Sequence, residues 1–227
     1  MRFGKVLMTI ALAAGFAATG PASAEEHQER VRITPSLDSV DVVNKGQTVV
    51  IERAQDREHV IPAEYAKTSR VCPPFCVQPM QVAPGVETVG ELEVLGYLKR
   101  VSGGDNSVLV VDSRTPDWTA RGTIPGSVLI PWTKINLDMS AGTFEIGAEA
   151  DTLNAILEND FGAQMVDGKW DFGKAKTLVM FCNGLWCPQS SINIKTLLKL
   201  GYPADKLKWY RGGMQDWVSL GLTTVAP

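Results

Sequence analysis

Residues 177–201, TLVMFCNGLWCPQSSINIKTLLKLG, contain the pattern that decides the fold. Thr177–Phe181 is a short apolar run, as in a buried strand at the middle of a parallel sheet. After a polar loop, apolar positions recur with helical spacing. Ser190 or Ser191 is the predicted N-cap of this helix, and Gly201 is the predicted residue just past its end. The stretch therefore predicts a strand, a loop and a helix in that order.

The preceding sequence shows the same alternation. A predicted helix opens at Val86 or Thr88, and Val108–Val111 is a second buried strand that Asp112 follows directly. Strands alternating with helices predict an α/β fold with a doubly wound parallel sheet. Ligands of such sheets bind at the carboxyl ends of the strands. Asp112 and Cys182 both stand at such ends.

Two further elements are predicted between these strands. Ala150–Phe161 has the apolar spacing of a helix. Met165–Trp170 is predicted to be a hairpin around an Asp-Gly turn.

Residues 25–85 lack long helical periodicity and are predicted to form an N-terminal extension, called the arm below. Val40–Val43 and Thr48–Ile51 are two short β-type runs, joined by a polar connection that suits a hairpin. The proline-rich stretch Cys72–Pro84 begins with CPPFC and favours an extended, wrapping segment. We expect a small β-containing arm that depends on disulfides or on docking for its stability.

Residues 1–24 have the pattern of a secretory signal peptide. Two basic residues precede the apolar run Val6–Ala18, and Ala22–Ala24 gives a small-x-small cleavage pattern. We therefore expect a mature chain that begins near Glu25. It would be periplasmic and would not insert into the membrane after signal cleavage.

The charge of the chain limits its partners. It has 22 basic and 25 acidic residues. Removal of Arg2 and Lys5 with the signal leaves 20 basic residues and a net charge of −5. A mildly acidic surface argues against nucleic acid and against an anionic membrane face as partners.

Cys182 has the sequence context of a reactive thiol. It leaves a predicted strand and enters a tight loop that precedes a helix. Backbone N–H groups of such a turn and the positive end of the helix both favour thiolate over thiol. A thiolate held there can attack a sulfane sulfur and carry it as a persulfide. The alternative is a small residue that is simply buried at a strand end.

Three motifs resemble those of the rhodanese (sulfurtransferase) family. Residues 110–132, VVDSRTPDWTARGTIPGSVLIPW, resemble its first signature, residues 181–190, FCNGLWCPQS, its active-site loop, and residues 211–217, RGGMQDW, its closing signature. They occur in family order, and the resemblance covers about Val86 to Thr224. We therefore assign residues 86–227 to a rhodanese-like domain.

The resemblance implies a five-stranded parallel sheet with helices on both faces and a persulfide on Cys182. We expect a small sulfur donor and a thiol acceptor as partners, and neither a cofactor nor a metal. Asp112 and Arg114 would be structural, fixing the strand–loop geometry near the site. The remaining active-site loop residues would be Asn183, Gly184, Leu185, Trp186, Gln189 and Ser190.

The loop departs from the family pattern. Gln189 stands where the family usually has an arginine, the loop is about two residues longer, and Pro188 supplies no N–H. Lysine and arginine are absent between Lys176 and Lys195. We therefore expect weak binding of thiosulfate, although a helix N-terminus by itself can bind an anion.

The other cysteines leave alternatives open. Three roles are open for Cys187. It resolves a persulfide on Cys182, it forms a redox-active disulfide with Cys182, or it forms a structural disulfide that fixes the loop. Cys72 and Cys76 form a local disulfide, or the arm folds over the loop and gathers four thiols, with a zinc or copper site as one outcome. Trp186 is expected to face a substrate or a partner.

Three functions follow from these patterns. The first is a periplasmic sulfurtransferase that uses Cys182. The second is a thiol–disulfide redox protein that uses Cys182 and Cys187. The third is a non-catalytic scaffold that binds another exported protein.

Overall fold

The structure is a computed structural model that describes Met1, residues 29–136 and residues 150–226. The chain divides into two compact units, residues 1–30 and 31–227, and the fold below is that of the second unit. Apart from Met1, the predicted signal peptide lies outside the described residues. Within the described ranges, none of the helices has the length and apolar character needed to cross a bilayer.

A five-stranded parallel sheet forms the centre of the fold. Its strands are β3 (Glu87–Val89), β4 (Val108–Asp112), β5 (Val128–Leu129), β8 (Thr177–Phe181) and β9 (Leu207–Tyr210). Their order across the sheet is β3–β9–β8–β4–β5, with every neighbouring pair parallel. The buried runs predicted from the sequence are therefore the central strands β4 and β8.

Helices cover both faces of this sheet. They are α2 (Glu91–Ser102), α3 (Pro116–Thr119), α4 (Ala150–Ala155), which continues as a π-helical turn (Ile156–Asp160), α5 (Gln189–Lys199) and α6 (Gly213–Ser219). Short 3₁₀ turns occupy Trp132–Lys134 and Ala204–Lys206.

Alternate residues of β8 enter two separate hydrophobic cores. Leu178 and Met180 pack with α5 and with the helix that ends near Phe161. Val179 and Phe181 pack with α2 and α6 on the opposite face. Since adjacent side chains of a strand point to opposite faces, one apolar run supplies both cores. The doubly wound α/β fold is confirmed.

Two predicted helix starts are wrong. The helix expected from Val86 or Thr88 begins at Glu91, because residues 87–89 pair with β9 as a strand. Gly90 caps the helix, and its backbone N–H donates to a Glu93 carboxylate oxygen at 3.0 Å.

The second correction concerns α5. It begins at Gln189 with Pro188 as N-cap, and neither Ser190 nor Ser191 caps it. The Ser190 hydroxyl accepts a hydrogen bond from Trp209 Nε1 at 3.1 Å instead. Gly201 does follow the helix end with φ +93°, as predicted.

The arm contributes a hairpin and a short helix. The hairpin strands are β1 (Ser39–Asn44) and β2 (Gln47–Glu52), and the helix is α1 (Ala63–Ala66). Val42 and Ile51 are buried in the same core as α2 and α6. The hairpin is therefore present where predicted, and it is stabilised by docking against the sheet domain.

A second hairpin lies between α4 and β8. Its strands are β6 (Gln164–Val166) and β7 (Lys169–Asp171). Asp167 and Gly168 both have positive φ, as two-residue hairpin turns of this hand require. The Asp-Gly turn and the helix before it agree with the prediction.

Candidate active site

Cys182 lies at the carboxyl end of β8, beside the end of β4. Asp112 pairs with Phe181 across these two strands, and Ser113 N–H donates to the Phe181 carbonyl at 3.0 Å. The first turn of α6 holds the chain on the other side. Met214 N–H donates to the Cys182 carbonyl at 3.0 Å. The cysteine backbone is therefore fixed from two directions by regular structure.

Gly213 of the closing motif passes directly against this backbone. It has φ +56°, in the region that favours glycine. A Cβ at this position would lie 3.0 Å from the Cys182 carbonyl carbon and 3.0 Å from the Gly184 nitrogen, and nearer still to the Cys182 oxygen. The motif thus needs glycine for close approach as well as for conformation.

A disulfide joins Cys182 to Cys187, with 6.3 Å between the two Cα atoms. Both residues are buried, each with 2% of its surface exposed. Cys187 N–H donates to the Gly184 carbonyl at 2.9 Å, so that residues 184–187 form a tight turn. Residues 182–188 are called the cysteine loop below. In this oxidised form the Cys182 sulfur has no free valence for a persulfide.

Helix α5 begins just after the cysteine loop. Its first backbone hydrogen bond of the i to i−4 type runs from Ile192 N–H to the Pro188 carbonyl at 2.8 Å. The preceding amides belong to the first helical turn, whose N–H groups lack intrahelical partners. The positive end of the helix dipole therefore lies close to Cys187 in the chain, and it favours a thiolate in the reduced loop.

Gln189 holds the place where the family pattern has an arginine. It is buried, and its Oε1 lies 3.5 Å from Cys187 Sγ. Asn183 is also buried, and its Oδ1 has no hydrogen-bond partner among the described residues. The site therefore carries two buried neutral amides, and one of them stands where the family pattern has an arginine.

Asp112 and Arg114 form a fully buried ion pair below the loop. Arg114 Nη2 donates to Asp112 Oδ2 at 2.6 Å, and Arg114 Nε donates to Asp112 Oδ1 at 2.9 Å. Thr123 Oγ1 also donates to Asp112 Oδ2, at 2.7 Å. Burial acts to lower the pKa of Arg114, but pairing with Asp112 outweighs it and the pKa is raised. The contacts are those of a positioning pair that shapes the loop after β4.

Tyr65 of α1 completes this pair. Arg114 Nη1 donates to the Tyr65 hydroxyl oxygen at 2.9 Å across 49 residues of chain. Burial raises the pKa of Tyr65, so the phenol stays neutral. Sequence reasoning missed Tyr65, because a single tyrosine in the arm carries no motif and its partner is distant in the chain.

The arm folds over the cysteine loop, as one of the sequence hypotheses proposed. Residues 70–80 are called the strap below. Phe75 of the strap meets Trp186 edge to face, with 5.5 Å between the ring centroids. Gln78 N–H donates to the Leu185 carbonyl at 2.9 Å, and Ser191 Oγ donates to Gln78 Oε1 at 3.1 Å. The strap is therefore bonded to the middle of the cysteine loop and to the first turn of α5.

The strap also brings a cation that the loop sequence lacks. The guanidinium carbon of Arg70 lies 3.6 Å from the ring centroid of Trp186. Trp186 Nε1 donates to Gln215 Oε1 at 3.0 Å. The tryptophan expected to face a substrate or partner thus faces the strap and α6. The prediction that no cation stands beside the loop is right for the sequence segment and wrong for the folded chain.

The four cysteines form two separate disulfides. Cys72 pairs with Cys76, as predicted for a local disulfide, with 4.7 Å between the Cα atoms. The described part of the chain contains no group of three or more cysteine, histidine or acidic side chains arranged to hold a metal. The zinc or copper hypothesis therefore has no support from the geometry.

The chain matches the sequence model of one known protein family. The sequence model of the rhodanese-like domain family matches residues 95–220. No curated protein shows significant sequence similarity to the chain.

Several solved structures are similar to it. A human single-domain sulfurtransferase has 20% identity and a TM-score of 0.35, over 59% of this chain and 96% of that one. A Rhodopseudomonas palustris protein of unknown function, described as a possible tyrosine phosphatase, has 22% identity and a TM-score of 0.38, over 63% and 88%. A rhodanese-like domain from Anabaena has 15% identity and a TM-score of 0.37, over 64% and 81%.

The family match extends over more than half of the 227 residues and includes the Asp112–Arg114 pair, Cys182 and Gly213. The chain therefore belongs to the rhodanese-like (sulfurtransferase) domain family.

Proposed function

We propose that this protein is a sulfurtransferase that carries a sulfane sulfur as a persulfide on Cys182. The observation that carries the proposal is the position of Cys182, at the carboxyl end of a central strand with its carbonyl held by α6. A fixed backbone restricts where the sulfur atom lies, and the first turn of α5 favours its negative charge.

The cycle begins from the disulfide. A dithiol donates two electrons and two protons, which opens the Cys182–Cys187 bond and leaves two thiols. The Cys182 thiolate then attacks the outer sulfur of a donor R–S–S⁻, forms Cys182–S–S⁻ and releases R–S⁻. An acceptor thiolate attacks the outer sulfur in turn, takes it as a new persulfide and restores the Cys182 thiolate.

The buried pair and its partners act through position. Asp112 accepts from Arg114 and from Thr123, and Tyr65 accepts from Arg114. These bonds fix the chain after β4, where Ser113 N–H donates to the Phe181 carbonyl at the end of β8. Asp112 and Arg114 are therefore positioning residues in this proposal, and neither transfers sulfur.

The proposal also places the protein in the periplasm. The pattern at residues 1–24 supports export, and the disulfides Cys72–Cys76 and Cys182–Cys187 suit an oxidising compartment. The partners are a small sulfur donor and a thiol acceptor, the acceptor being free or on another exported protein.

The test uses pre-reduced protein, freed of reductant, with a persulfide donor and cyanide or a thiol as acceptor. We expect turnover in the wild type and in Cys187→Ser, loss of turnover in Cys182→Ser, and a mass increase of one sulfur atom on Cys182 after donor alone. Turnover that survives in Cys182→Ser, or no added sulfur on Cys182 with any donor, contradicts the proposal.

The observed disulfide favours a second candidate, a thiol–disulfide redox protein. In that case the Cys187 thiol attacks the inner sulfur of Cys182–S–S⁻, forms the Cys182–Cys187 disulfide and releases HS⁻. This step balances without any further oxidant. The Cys187→Ser variant separates the candidates, because it keeps sulfur transfer to an external acceptor and abolishes HS⁻ release that needs no external thiol.

A further inference from the structure

The two disulfides differ sharply in exposure. Cys72 is exposed and Cys76 is partly buried, whereas Cys182 and Cys187 are each 2% exposed. An external dithiol protein can therefore reach the strap disulfide directly, and it meets the strap before it meets the loop disulfide. Yet the loop disulfide must be opened before Cys182 can accept sulfur.

The strap contacts the cysteine loop and the first turn of α5. Phe75 packs on Trp186, and Gln78 bonds to Leu185 and to Ser191. Arg211 secures the same segment by donating to the carbonyl of Gln78 at 2.8 Å. Cys76, which lies between Phe75 and Gln78 in sequence, is thus carried on the part of the strap that is fixed to the loop.

The outer side of the strap has the character of a docking surface. Its exposed apolar side chains flank the disulfide, with Val71 77%, Val77 84% and Met80 70% exposed. Exposed apolar residues that cluster on one short segment mark interaction sites. Cys72, an exposed residue next to Val71, is a target for one class of partner chemistry, a nucleophilic thiolate.

We propose that Cys72–Cys76 is a second redox site, which takes two electrons from a dithiol protein and passes them to Cys182–Cys187. The inference rests on the proposed function, since it concerns how the oxidised sulfurtransferase is activated. The partner is a protein with a vicinal dithiol and an apolar rim around it.

The transfer balances in four exchanges. The partner thiolate attacks Cys72 and expels the Cys76 thiolate, and the second partner thiol resolves the mixed disulfide, leaving Cys72 and Cys76 reduced and the partner oxidised. The Cys76 thiolate then attacks Cys187 and expels the Cys182 thiolate. Finally the Cys72 thiolate attacks Cys76, which frees the Cys187 thiol and restores the strap disulfide.

The choice of Cys187 as the sulfur attacked follows from leaving-group chemistry. The lower the pKa of the departing thiol, the faster it leaves. Cys182 leaves as the thiolate that the loop and α5 are expected to stabilise. The relay therefore delivers the reactive cysteine directly in its nucleophilic form.

A matched pair of variants tests the relay. In Cys72→Ser the Cys76 thiol can attack the loop but has no partner to resolve the product. We expect a trapped Cys76–Cys187 cross-link with a free Cys182, identified by non-reducing peptide mapping. Cys76→Ser is the control, because the exposed Cys72 is not held against the loop and the Cys182–Cys187 disulfide should remain. Absence of the cross-link in Cys72→Ser, or equal cross-linking in both variants, overturns the proposal.

A kinetic measurement tests it without trapping. Reduced thioredoxin, the probe dithiol protein, is mixed at about 10 µM with the oxidised chain, and the thiols of the cysteine loop are counted over time. The exchange within the chain has an effective concentration in the millimolar range and is not limiting, so opening in the wild type follows attack on the exposed strap disulfide. The Cys72→Ser, Cys76→Ser double variant offers thioredoxin only the buried loop disulfide and should open it at least about tenfold more slowly than the wild type, because exchange rates depend on access to the sulfur attacked. Equal or faster opening in the double variant would mean that the strap is only a cover.

The test of the relay can fail or succeed independently of the test of the proposed function. The relay is measured without any sulfur donor. When reduced in advance, the double variant should turn over sulfur at the wild-type rate. Failure of turnover in pre-reduced wild type contradicts the proposed function alone, while slow loop opening confined to the double variant supports the relay alone.

Discussion

The substitution Gly213→Ala tests whether the closing motif supports Cys182 by close backbone contact. An alanine at φ +56° pays the cost of left-handed backbone, about 1 kcal/mol. Its Cβ would also lie 3.0 Å from the Cys182 carbonyl carbon and from the Gly184 nitrogen. Overpacking of this kind costs about 1–3 kcal/mol. We therefore expect a loss of about 3 kcal/mol in the free energy of unfolding.

Gly168→Ala is the matched control. Gly168 has φ +73°, and a Cβ there would meet no atom within 4 Å. It should show only the backbone cost, so that the difference between the variants isolates the contact with Cys182.

The assay is urea unfolding of the oxidised proteins, followed by tryptophan fluorescence, with the slope m checked for constancy. A second measurement is the rate of alkylation of Cys182 after reduction, in each folded variant. Gly213→Ala should change this rate and Gly168→Ala should not. If Gly213→Ala is no more destabilising than Gly168→Ala, the close-approach argument is refuted.

Three further predictions concern other contacts. Tyr65→Phe removes an acceptor of buried Arg114 and should lower the free energy of unfolding by about 1.5 kcal/mol; a change below about 0.5 kcal/mol in denaturant titration would contradict the role assigned to the hydroxyl. Gln189→Arg adds a cation beside the loop that can form one charge-assisted hydrogen bond to an anionic donor. It should raise kcat/KM for thiosulfate about tenfold and change kcat/KM for a neutral donor little. An equal change for both donors would contradict this role of the charge. Burial, and after it repulsion from Glu91, raise the pKa of the Asp216 carboxyl group. The folded state therefore binds the carboxyl proton more tightly than the unfolded chain does, and stability should fall as pH rises from about 4 through the raised pKa. Asp216→Asn should flatten that part of the Tm-versus-pH curve, and an unchanged slope would contradict the assignment.

The central strands could be predicted because their signal is local. Val108–Val111 and Thr177–Phe181 are apolar at consecutive positions, which is the pattern of strands covered on both faces. The start of α2 could not be predicted, because Thr88 and its neighbours fit a helix as well as a strand when their pairing with β9 is not considered. Only pairing with residues 208–210 decides that residues 87–89 are a strand.

The candidate site divides in the same way. Cys182 was predicted from its place after a strand, and the Asp112–Arg114 pair from the motif that contains both residues. Tyr65, Arg70 and the contacts of the strap were beyond prediction in detail, because their partners lie far away in the chain and no spacing records them. The contacts of the strap confirm the hypothesis that the arm covers the loop, whereas the described residues contain no metal site built from the cysteines.

The sequence by itself determined the α/β class, the place of Cys182 at the end of a strand and the grouping of the four cysteines into two close pairs, because each depends on residues that are neighbours in the chain. Tertiary structure decided how exposed each sulfur is and which groups surround it. The contacts of Phe75 with Trp186, of Gln78 with Leu185 and of Tyr65 with Arg114 exist only once the arm has docked on the sheet domain. Solvent exposure is a property of the whole fold, and a short stretch of sequence does not contain it.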